Sequence, residues 1–145
     1  MTTDELLSLG LTENAAAWLH QLYHATHIFD DVYDNDAISA QDKDIVIWNA
    51  LVGMPGNQFY IQYQQFLIPL LASALLRWQS ANAAEKAKRH NAMTFAWRDG
   101  FYDIVLMCVY LEQGYYRAIA LSEKILAMNT ELFSDYMEEF KLRAI

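Results

Sequence analysis

Apolar side chains recur three and four residues apart through every long segment of this chain, and nowhere do they alternate with polar ones as a half-buried strand requires. Trp18, Leu22, Ala25 and Phe29 set the pattern. Thr12 is placed to cap this first helix, with Glu13 in its first turn, and Ser39 followed by Asp42 opens a second helix through Ile45, Ile47, Trp48 and Leu51. The string GMPGN stops it.

A third helix is expected from about Asn57 to Ser80, with Tyr60, Tyr63, Leu67, Leu71, Ala74, Leu75 and Trp78 in helical period. Pro69 should kink it, because proline lacks the backbone N–H and its ring opposes a straight helix. A fourth helix starts near Asn82 and becomes apolar on nearly every side from Ile104 to Leu111, as a helix at the centre of a bundle does. Gly114 ends it, a fifth segment runs from Tyr115 to about Met128, and a short helix follows from Glu131. With only two prolines and five glycines in 145 residues, and 54% hydrophobic residues to fill a core, the chain reads as one all-α domain over residues 1–145, a bundle of about five to six helices.

A formal net charge of -8 sets the overall field against phosphate backbones and anionic lipid, so neither nucleic acid nor a membrane surface is expected as a partner. The run Lys86, Lys88, Arg89 with His90 reads as the solvated face of a helix. Cys108 is the only cysteine, which excludes an intrachain disulfide and fits a reducing cytoplasm. The opening MTTDELLSLG has no basic region leading into an apolar one, so it does not read as a secretory signal. Phe66 to Leu76, about half the length of a membrane span, reads as a buried helix.

Chemistry is concentrated in FDDVYDND, where Asp30, Asp31, Asp34 and Asp36 crowd seven positions. If the first helix extends through them, Asp30, Asp31 and Asp34 stand three and four apart and can converge on a divalent cation such as Mg²⁺ or Mn²⁺. Such a cation would also relieve the conflict between carboxylates and the negative end of a helix. If the helix stops near Phe29, Asp34 to Asp36 form an ordinary turn and supply the next N-cap. His20, His24, His27 and Asp31 lie on one helical stripe, which suits a solvated polar face or metal and proton chemistry. Asp99 and Asp103, four apart beside the apolar run, need compensation, with Arg98 and Tyr102 as local candidates; alternatively they face the first cluster and complete a metal site with it.

No calcium-binding loop, phosphate-binding glycine loop, nucleophile elbow or histidine-aspartate pair of the phosphohydrolase kind is present in the sequence. DDVYD is similar to the Asp-Asp-x-x-Asp motif of the isoprenoid synthases, all-helical enzymes, and the resemblance implies Asp30, Asp31 and Asp34 as magnesium ligands against a diphosphate, with Asp99 and Asp103 loosely matching the second metal motif. Over most of its length the chain resembles small helical proteins of bacteriophages and prophages, which pair an aromatic-led Asp-Asp-x-x-Asp string with a Pro-x-Asn-x-Phe-Tyr turn and an Arg-Asp-x-x-Tyr string. Here these are Phe29 to Asp34, then Pro55, Asn57, Phe59 and Tyr60, then Arg98, Asp99 and Tyr102. That resemblance implies a cytoplasmic accessory protein acting by association with a protein partner or with itself. The alternative is a Mg²⁺- or Mn²⁺-dependent enzyme acting on a phosphate or diphosphate ester.

Overall fold

A computed structural model describes residues 1–143, and side chains through Lys141. Eight α-helices follow one another: α1 (Thr3–Leu7), α2 (Glu13–Tyr33), α3 (Ala40–Trp48), α4 (Gln58–Lys86), α5 (Ala92–Trp97), α6 (Phe101–Gln113), α7 (Tyr115–Ala127) and α8 (Phe133–Arg143). One π-helical turn, Asn49–Gly53, links α3 to the loop before α4, and there is no strand among the described residues. The fold is all-α, as the periodicity requires, with more helices than the five to six expected. The additions are the five-residue α1 and the six-residue α5, too short to show a period.

Side-chain caps set the helix starts. The hydroxyls of Thr12 and Ser39 accept from the Ala15 and Asp42 N–H groups, and the Asn57 side chain accepts from that of Tyr60. α2 runs through the aspartate string to Tyr33 instead of stopping at Phe29, and Asn35 terminates it with φ 60°. The Asp36 N–H reaches the Asp31 carbonyl at 2.9 Å and the Asn35 N–H that of Val32 at 3.3 Å, which is the Schellman arrangement. α4 ends the same way at Lys88 (φ 58°), so Lys86, Lys88 and Arg89 belong to a helix C-terminus and the turn after it, where positive charge is favourable, and not to a solvated helix face.

The core forms where α1, α2, α4, α6 and α7 meet, around the fully buried Trp18, Leu19, Leu67, Val105, Cys108 and Val109. α6 is thus the central helix that its apolar character predicted. A smaller cluster of Ala25, Ile28 and Val46 holds α3 against α2. Glu112 at the end of α6 accepts both the Thr12 N–H (3.0 Å) and the Thr12 hydroxyl (2.6 Å), tying the start of α2 to α6.

Two expectations about the third helix change. It does not end at Ser80 but continues to Lys86, with Pro69 inside it. Pro69 and Gln65, whose carbonyl loses its partner, are both exposed, so water can satisfy the freed oxygen. Nor is the stretch from Phe66 to Leu76 buried. Only Leu67 is fully enclosed, and α4 is by length and composition apolar enough to cross a membrane while just 11% of its most apolar 18 residues are buried.

Candidate functional site

The sequence places four carboxylates at the negative end of α2 and asks what compensates them. For Asp30 the answer is Arg98, in the short link between α5 and α6. Its Nη2 donates to Asp30 Oδ1 at 2.8 Å, and its Nη1 donates to Glu85 Oε1 at 2.6 Å and Asn82 Oδ1 at 3.0 Å. Glu85 in turn accepts from the Tyr136 hydroxyl at 2.8 Å, which brings α8 into the same network. Burial works against the Arg98 charge, but Glu85 and Asp30 outweigh it and hold its pKa above the usual arginine value. The cation that relieves the helix end is therefore the protein's own guanidinium.

The five aspartates expected as metal ligands fall in different surroundings. Asp30 is committed to Arg98, and Asp34 is the C-cap of α2, with its charge also felt at Arg98. Asp31 gives its carbonyl to the Schellman turn. Asp103 pairs with Arg77 of α4 at 3.2 Å, and Asp99 accepts from the Phe101 N–H at 3.3 Å. Neither Asp99 nor Asp103 is ion-paired to Arg98, the local partner that sequence spacing offered. Among the described residues no group of three or more His, Cys, Asp or Glu side chains is disposed to hold a metal ion. The histidine stripe divides as well: His20 is exposed, His24 lies 3.3 Å from Asp42, and His27 turns its Nδ1 to the Tyr23 carbonyl at 2.9 Å.

Asp30, Arg98 and Asp99 all line a cleft of about 260 Å³ between α2, α4 and the start of α6. Its walls are apolar, with Leu22 and Phe29 from α2, Leu71, Leu75 and Trp78 from α4, and Phe101 and Ile104 from α6. A smaller cleft of about 160 Å³ adjoins it and shares Thr26, His27, Asp99, Phe101 and Glu131. Gly100 makes this geometry feasible: a Cβ there would stand 2.8 Å from Ala74 Cβ and 3.3 Å from Ala74 Cα, so only glycine lets the start of α6 come this close to α4.

The electrostatics of the cleft are uneven. Arg98 is neutralised twice over, whereas Asp99 and Glu131 have no ion-pair partner among the described residues. Burial raises the pKa of Asp99, partly offset by the Phe101 N–H and by His27, and burial together with the Asp99 charge raises that of Glu131. Burial and Asp99 also push the Tyr102 hydroxyl up to about 12. Glu131 and Glu85 escaped sequence reasoning, since each reaches the cleft or its network only through tertiary packing.

The second feature is the outer face of α4. No charged residue occurs from Gln58 to Leu76, and Ile61, Gln65, Ile68, Ala72, Leu75 and Gln79, spaced alternately four and three, are all exposed. Ile61 is 46%, Ile68 50% and Leu75 48% accessible, with Leu76 beside them at 64%. That spacing is the seam of a helix that packs along a second helix. Trp48, Leu51 and Val52, in α3 and the π-helical turn, are exposed apolar residues as well. Comparison with protein-family models, with curated proteins and with solved structures finds no match for this chain.

Proposed function

We propose that this chain is a cytoplasmic accessory protein of the phage or prophage type that works by protein association, and that the outer face of α4 is where it associates, in the first instance with a second copy of itself. The observation that carries the reading is the exposed, uncharged 4-3-4-3-4 stripe from Ile61 to Gln79. Apolar side chains at this spacing gain free energy when a second helix covers them, at about 25 cal/mol for each Å² removed from water. Contiguous exposed apolar surface on a protein of this size marks an interaction face. A protein surface suits the stripe better than lipid does, because Gln62, Gln64, Gln65 and Ser73 would be costly in hydrocarbon but pair readily across a helix interface. The buried Cys108 thiol and the resemblance to phage and prophage proteins support the compartment and the type.

The alternative, a Mg²⁺- or Mn²⁺-dependent enzyme on a phosphate ester, draws no support from the site. The aspartates form no metal-holding group among the described residues, and the cleft's own cation is already held by Asp30 and Glu85.

Thiol protection tests the face directly. Burial pushes the Cys108 thiol far above its usual pKa, so it stays silent to maleimide, and a cysteine introduced as Ala72→Cys reports on the stripe alone. Its labelling should slow as protein concentration rises, while Ala120→Cys on α7 labels at a constant rate. Equal, concentration-independent rates at both positions would count against association through α4.

A further inference from the structure

We infer that the paired cleft is a binding site for a small primary amine with an apolar body, whose ammonium sits between Asp99 and Glu131. The inference does not rest on association through α4, although Leu75 belongs to both surfaces. Its basis is a mismatch within the cavity: the walls from α2, α4 and α6 are apolar, but the end formed by Thr26, His27, Asp99 and Glu131 carries two carboxylates that no side chain meets at ion-pair distance among the described residues.

Each class of occupant meets that mismatch differently. An anion would face two carboxylates, and Arg98 cannot receive it because Asp30 and Glu85 already occupy the guanidinium at 2.8 and 2.6 Å. A neutral apolar molecule would fill the space but strip water from Asp99 and Glu131 without replacing its hydrogen bonds. A metal ion lacks a ligand group among the described residues. A protonated amine answers both ends: its body lies against Leu71, Leu75, Trp78 and Ile104, and its charge lies at the carboxylates.

Three donors distinguish a primary ammonium from other organic cations. The Tyr23 carbonyl can only accept, so the 2.9 Å contact places a proton on His27 Nδ1. Asp99 and Glu131 supply carboxylate acceptors along one cleft, which His27 also lines. Phe101 borders both parts of the cavity.

The test is a calorimetric titration of the full chain with 2-phenylethylamine, 2-phenylethanol, phenylacetate and methylamine. The amine with the aromatic body should bind saturably and more tightly than the neutral alcohol, with phenylacetate and methylamine weaker still. Glu131→Gln, at an exposed position where the fold is not at stake, should weaken the amine about tenfold, as loss of a charged hydrogen bond does. Asp99→Asn should do the same, and if that variant fails to fold the Glu131→Gln result decides. No saturable binding of 2-phenylethylamine, binding of phenylacetate as tight as that of the amine, or an unchanged affinity in Glu131→Gln would each overturn the assignment.

Discussion

Arg98 Nη2 lies 2.8 Å from Asp30 Oδ1, joining residues 68 positions apart in sequence. Through this contact an electrostatic conflict built into the end of α2 is resolved from within the chain, and the same guanidinium, bound to Glu85 and Asn82, fixes the link between α5 and α6 against α4.

Arg98→Met should therefore destabilise the fold by about 3 kcal/mol, the typical loss when one partner of a buried ion pair is removed. The Glu85 side chain is only 9% exposed and would be left charged without its partner. Chemical denaturation measures the loss. Adding Glu85→Gln to Arg98→Met should recover part of it, and Asp30→Asn alone, at a carboxylate 37% exposed, should cost about 1 kcal/mol or less.

Much of the helical layout was legible because its signals are local. Thr12, Ser39 and Asn57 cap the helices they were placed to start, and Gly114, with φ 87°, marks the joint between α6 and α7. Continuity was harder to read. The alanine-rich stretch after Ser80 belongs to α4, and α5, opened by the Asn91 and Thr94 capping box, is a separate helix that the sequence pattern runs together with α6. For the site, the sequence marks Asp99 and Asp103 as needing compensation and spacing points both to Arg98, whereas Asp103 pairs with Arg77 and Asp99 has no ion-pair partner among the described residues. Partners 13 and 68 residues away claim Arg98 instead, and no periodicity within one helix carries that information.

Asp99 gives a pH signature whose sign runs opposite to that of a salt-bridged carboxylate. Its folded pKa is raised, so between the ordinary carboxylate range and that higher value the native state holds a proton that the unfolded chain has released. Stability then falls as pH rises through this window. Asp99→Asn should raise the melting temperature at neutral pH, with a smaller gain in acid where Asp99 is protonated in both states. A melting temperature lowered at neutral pH would show that the ionised carboxylate stabilises the fold.

Gly100→Ala probes how closely α6 approaches α4. The new methyl would lie within 3.3 Å of both Ala74 Cα and Cβ, atoms that cannot swing aside, so a loss of about 1 to 3 kcal/mol is expected from overpacking. Equilibrium unfolding should show it, and Gly100→Ala combined with Ala74→Gly should regain part of the loss.

Magnesium and manganese should leave the melting temperature unchanged at physiological ionic strength, because the aspartates of α2 and α6 form no metal-holding group among the described residues. A rise that saturates with metal and vanishes in Asp30→Asn would restore a metal site at the end of α2.

Sedimentation equilibrium tests the outer face of α4 as an association surface most directly. The wild-type chain should associate reversibly with rising concentration. Ile61→Glu with Ile68→Glu, at positions 46% and 50% exposed, should be monomeric with an unchanged helical spectrum. A wild-type chain that stays monomeric throughout, or a doubly substituted chain that associates just as strongly, would contradict the claim that this helix is the association surface.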